Sequence, residues 1–123
     1  MTRERQNKGA RGEQKAVEYL RGSGYRILER NYRCPLGELD IIAREGKTVV
    51  FVEVKTRSSA RFGSPQEAVG PRKQRRMTAI ALYYLKAKGL LDEPARFDVA
   101  AVSLGEGGED VMLYKNAFDA TGF

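Results

Sequence analysis

Apolar residues recur along this chain in two rhythms, one helical and one alternating. From Gly9 to about Arg21 the positions Ala16, Val17 and Leu20 fall at helical spacing, and Gly-Ser-Gly at 22–24 closes the segment. "YRILERNYR", Tyr25 to Arg33, then alternates as a half-buried strand. "GELDIIA" and "TVVFVEVK" read as two more strands joined through "REGK", a tight hairpin in which Gly46 supplies the turn. Pro71 stands where a first helical residue would, and Met77, Ile80, Ala81, Tyr84 and Leu85 mark an apolar stripe ending near Gly89. "ARFDVAAVSL" predicts a strand, "GEGGED" a turn and "VMLYK" a final strand. The order αβββαββ predicts an α/β sandwich with a mixed central sheet flanked by helices, the strand after the long helix returning as a crossover.

The third strand breaks its own pattern. Val49, Phe51, Glu53 and Lys55 point one way and Val50, Val52 and Val54 the other, so both faces are covered and a carboxylate and an ammonium stand at the margin of a core. Leaving either unpaired there costs several kcal/mol, on the order of what a buried lone charge costs. A hairpin loop of two or four residues is expected to set Asp40 opposite Phe51 and Glu38 opposite Glu53, with Asp40 diagonal to Glu53 on one face; a three-residue loop would send the groups to opposite faces. Glu13, before Ala16 and Val17 on the first helix, either snorkels at the edge or reaches the same polar pocket. Like charges opposed across strands ask for a cation, and a hard metal ion supplies one. Asp40, Glu53 and the Val54 carbonyl could hold such an ion, which would neutralise charge developing on a phosphodiester and lower the pKa of a water, while Lys55 orients that water or stabilises the transition state.

Composition narrows the chemistry. One cysteine, Cys34, and no histidine exclude a disulfide framework, a thiolate metal cluster and every His-dependent triad or zinc site, leaving Mg²⁺ or Mn²⁺ on oxygen ligands as the metal option. At 123 residues and 41% hydrophobic, one domain over 1–123 is expected, with residues 1–8 a flexible basic N-terminus. No apolar window approaches the roughly 18 residues of a membrane span and no signal-like segment opens the chain, so a cytoplasmic protein is expected.

Charge points to a partner. Twenty-two basic residues against 16 acidic give +6 and a sequence pI near 9.6. In "PRKQRR" the cations Arg72, Lys73, Arg75 and Arg76 oppose the dipole of the helix they open, which suggests that a phosphate backbone docks there. Arg57 and Arg61, just past the acidic pair, are placed to guide a strand toward it. Asp98 in "RFDV" is explained by pairing with Arg96 or another arginine nearby, with a catalytic role as the alternative, and Glu38 is a rim residue or else a second-metal ligand.

A glutamate-bearing helix, then G-x-x-D (Gly37 to Asp40), then E-x-K (Glu53, Val54, Lys55) after a hairpin resembles the PD-(D/E)xK core shared by restriction endonucleases and Holliday-junction resolvases. "GARGEQKAVEYL", "GYRILERNYR", "GELDIIA", "VFVEVKTR", "PQEAV" and "RFDV" together resemble, along nearly the whole chain, the YraN-like family of bacterial proteins. The literal Pro-Asp is absent, Leu39 preceding Asp40, and Gln74 lacks the tyrosine four residues on that marks the end-processing branch. The resemblance implies a restriction-endonuclease-like sandwich, metal coordination by Asp40 and Glu53, a catalytic role for Lys55, and metal support or water positioning by Glu13. It further implies a Mg²⁺- or Mn²⁺-dependent nuclease acting on structured or branched DNA, DNA being favoured over RNA; junction-resolving relatives pair as dimers, and whether this chain forms a homodimer is left open. The alternatives are an inactive nucleic-acid-binding module and an interaction adaptor with the same fold.

Overall fold

The computed structural model describes residues 3–57, 69–105 and 108–120, with side chains from residue 9 onward. The elements run α1 (Arg3–Gly22), β1 (Arg26–Cys34), β2 (Gly37–Glu45), β3 (Thr48–Arg57), α2 (Pro71–Ala87), β4 (Ala95–Ser103) and β5 (Asp110–Phe118). This is the expected order αβββαββ. One five-stranded sheet carries the strands in sequence order; β1, β2 and β3 pair antiparallel, β3 and β4 parallel, and β4 and β5 antiparallel. The single parallel pair sits where α2 makes the crossover, because parallel neighbours cannot be joined by a tight turn.

Each helix covers one face. Val50 and Val52 join Ala16, Val17 and Leu20 of α1 in one core, while Val49 and Phe51 join Met77, Ile80, Ala81 and Tyr84 of α2 in the other. Full burial of side chains such as Phe51, Leu20 and Ile80 stabilises the sandwich by roughly 2–3 kcal/mol each. α1 comes unusually near β3 at Gly12, where a Cβ would stand 2.0 Å from Thr56 Oγ1. A glycine inside a helix is otherwise unfavourable, and here it is what lets α1 sit flush against the strand.

The hairpin register differs from expectation by two residues. Gly46 and Lys47 form the turn, Gly46 with φ +59°, and Ile42 rather than Asp40 faces Phe51. Continuing that register sets Asp40 directly opposite Glu53. Because strand side chains repeat every two residues, the shift leaves the pair on one face. β5 extends to Phe118, past the expected "VMLYK", because Ala117 and Phe118 bury in the α2-side core after a register break against β4. Among the described residues no helix is long and apolar enough to cross a membrane.

Candidate active site

Asp40 lies where the β2–β3 ladder stops. The last pair is Ile41 with Val52, and beyond it the Val54 amide donates 2.8 Å to Asp40 Oδ2 instead of to a strand carbonyl. Local packing marks the same break: Leu39 packs in the α2-side core and Ile41, two residues on, in the α1-side core. The carboxylate is thus pinned by backbone rather than by a flexible side chain.

Glu53 is the second acid, 6% exposed, and Lys73 on the first turn of α2 reaches down to it, Nζ to Oε1 2.7 Å. Burial, and after it the negative charge of Glu53, push the Asp40 carboxyl up to about 7; the Val54 amide and Lys73 act in the opposite direction without overcoming them. A hydrogen bond with Glu53 also favours the protonated form. Two acids and one ammonium share the pocket, so one negative charge is left over whenever both acids ionise.

Alternation along β3 places Lys55 on the face of Glu53, half-buried, and among the described residues its ammonium has no ion pair and no hydrogen bond. Arg57 is exposed at the end of the strand. Arg72, Arg75 and Arg76 are exposed on the first turns of α2, and none pairs with a described carboxylate. That turn starts at Pro71, has Gly70 as an N-cap without a side-chain bond, and holds no acid of its own. Gln74 closes it by donating to the Val69 carbonyl at 2.8 Å. Arg61 lies outside the described residues, as does "PQEAV" apart from Val69.

Glu13 goes elsewhere. Its Oε1 accepts from Arg30 Nε at 3.2 Å and from Asn31 Nδ2 at 3.0 Å, both on β1. The reason is the layering: α1 packs on the Val50 and Val52 face, whereas Glu53 and Lys55 project from the other. Glu38 pairs with Arg33 at 3.5 Å on the rim. The structure therefore brings together Asp40, Glu53 and Lys73, with Lys55 beside Glu53 along the strand, and leaves Glu13 at β1. No group of three or more carboxylates or thiols placed to hold a metal ion occurs among the described residues.

Lys73 is the site residue whose position the sequence concealed. Its type was legible in "PRKQRR" as a phosphate contact, but nothing local distinguishes the one cation of that run that turns inward.

Among the described residues, two helices on opposite faces of a mixed five-stranded sheet, with paired acids and a lysine at the crossover strand, make a restriction-endonuclease-like α/β fold. The chain belongs to the uncharacterised protein family UPF0102, the YraN-like family, whose profile matches residues 12–102. It is 58% identical over 111 residues to a UPF0102 protein of Syntrophus aciditrophicus (90% of this chain, 87% of the relative). With one of Moorella thermoacetica it shares 52% over 120 residues (96% and 100%). Among solved structures it is similar to SfsA of Pyrococcus furiosus in complex with Ca²⁺, with a TM-score of 0.42 and 16% identity, covering 89% of this chain and 65% of that one.

Proposed function

We propose that this protein binds nucleic acid, DNA before RNA, and hydrolyses phosphodiester bonds in structured or branched forms of it with Mg²⁺ or Mn²⁺, acting in the cytoplasm. The observation that carries the reading is the Asp40–Glu53 pair: a half-buried acid fixed by a backbone amide beside a buried one, with one paired cation for the two carboxylates. A protein gains nothing in stability from such an arrangement, so it calls for a ligand that repays it.

The donor set suits a hard ion. Two carboxylates and the Val54 carbonyl are oxygen ligands, and an ion of the Mg²⁺ class takes one or two carboxylates and keeps waters elsewhere, so a third acid is not required. When bound, such an ion would neutralise charge developing on the phosphodiester. The chain's own residues do the rest. Asp40 would give up the proton that burial favours on it, and Lys55 presents a donor to the attacked phosphate or to the water that attacks it. Arg57, Arg72, Arg75 and Arg76 supply the positive surface along which the backbone lies.

A second reading, a nucleic-acid-binding module without hydrolysis, is favoured by the Lys73–Glu53 ion pair, which already lends the site a cation. A panel of DNA duplexes, flaps, junctions and single strands incubated with Mn²⁺ separates the two. Cleavage by wild type that drops at least about a hundredfold in Lys55→Ala supports the enzyme; equal product from both, or none from either alongside tight DNA binding, supports the module.

A further inference from the structure

Lys73 poses a question that the hydrolytic reading leaves open. Of the four cations that open α2, it alone among the described residues is turned to an acid, and the acid is a proposed metal ligand. Its Nζ lies 2.7 Å from Glu53 Oε1, the distance of a short charge-assisted hydrogen bond. An ammonium so placed and a divalent ion on the same carboxylate repel one another at contact range, so each weakens the other's hold on it.

The two ends of the pair differ in freedom. Glu53 is fixed in the sheet with its side chain 7% exposed, whereas the Lys73 side chain is 39% exposed and hangs on a flexible four-carbon stem. The lysine can leave; the glutamate cannot. Outside the pocket Arg72, Arg75 and Arg76 already form a positive surface, around a helix terminus that has neither a side-chain cap nor a first-turn acid. A released ammonium therefore swings into a field that repels it unless an anion is present there.

We propose that Lys73 is a two-position residue of this site: its ammonium stands in for the divalent ion at Glu53, and on entry of the ion it turns outward onto a phosphate of the bound nucleic acid. The inference rests on the metal-binding reading above and adds an exchange to it. Ion entry and phosphate binding then favour one another, because each needs or supplies the displaced lysine. An ion without nucleic acid meets a site already occupied, and nucleic acid without the ion meets one cation fewer.

The test is a calorimetric Mn²⁺ titration at pH 8 of wild type, Lys73→Met and Lys73→Arg, each first shown to melt cooperatively. Lys73→Met, which keeps the stem and drops the charge, is expected to bind Mn²⁺ at least about tenfold more tightly than wild type, and Lys73→Arg to stay within about threefold of it. DNA affinity is measured in parallel against salt, with a fixed 20-base-pair duplex, in EDTA and in Ca²⁺. With Ca²⁺ the wild-type slope is expected to exceed that of Lys73→Met by about 0.9, one phosphate contact, and in EDTA the slopes are expected to coincide. Equal or weaker Mn²⁺ binding by Lys73→Met overturns the exchange while leaving the metal site standing, and so does tight binding by Lys73→Arg. Absence of Mn²⁺ binding in all three proteins overturns both the exchange and the metal site.

Discussion

A half-buried and a fully buried aspartate on opposite faces of the same sheet each accept a backbone amide, yet live in opposite electrostatic worlds. Asp40 accepts the Val54 amide where the β2–β3 ladder ends, and Asp98 accepts the Asn116 amide at 2.9 Å where the β4–β5 register breaks. Around Asp98 everything is matched. Arg96 donates to it through Nε at 3.0 Å, the Tyr25 hydroxyl donates at 3.2 Å, Arg96 also reaches Glu45 at 2.6 Å, and Lys115 completes Glu45 at 2.9 Å. Two acids meet two cations. Burial disfavours the Arg96 charge, yet the hydrogen bonds to Asp98 and Glu45 outweigh it and raise its pKa. Asp40 and Glu53 share only Lys73, and Asp40 is driven toward its neutral form. A closed, neutral network explains itself as architecture; the open one has a charge to spare that the proposed divalent ion would balance.

Removing one acid from each cluster should have opposite effects on stability. Asp98→Ala, which takes from Arg96 the more buried of its two acids and leaves the Asn116 amide and the Tyr25 hydroxyl without their acceptor, is expected to cost about 3–5 kcal/mol and lower Tm by roughly 10–20 °C in thermal unfolding. Asp40→Asn is expected to stabilise instead. The sign follows from the raised pKa: between about 4 and about 7 the folded state retains a proton that the unfolded chain has lost, so the Asp40 contribution to stability falls as pH rises through that window. At pH 8 the variant should therefore exceed wild type by up to about 4 kcal/mol, with no difference near pH 3.5. Denaturant melts of both proteins across that range check it; a gap that does not open with pH refutes the electrostatic account of Asp40.

Smaller effects sharpen the contrast between the faces. Gly12→Ala should push α1 off β3 at Thr56 and cost about 1–3 kcal/mol, and Thr56→Ala should recover part of it in a double-mutant cycle. Glu13→Gln should weaken the contact to Arg30 and leave Mn²⁺ affinity changed by well under the tenfold or so that loss of a ligand's supporting partner brings. A larger loss would return Glu13 to the metal site.

The sequence made the element order and the acidic pair legible because both are written in the period-2 pattern of β3, which survives a register error of two residues. Asp40 and Glu53 share a face whether Asp40 stands across from Phe51 or from Glu53. The pairing of Asp98 with Arg96 was legible for the same reason, two residues apart on one strand. Glu13 was not, because helical periodicity gives the buried face of α1 but not the face of the sheet that receives it. Lys73 was hidden by distance: its partner lies twenty residues back across the crossover, and only packing of α2 against β3 brings them together.

The unbalanced acids are proposed to form a divalent-ion site. A calorimetric titration of Mn²⁺ into wild type and into an Asp40→Asn, Glu53→Gln double variant at pH 8 tests it most directly. Saturable binding by wild type is expected to vanish in the double variant; the same isotherm from both proteins would contradict the proposed site.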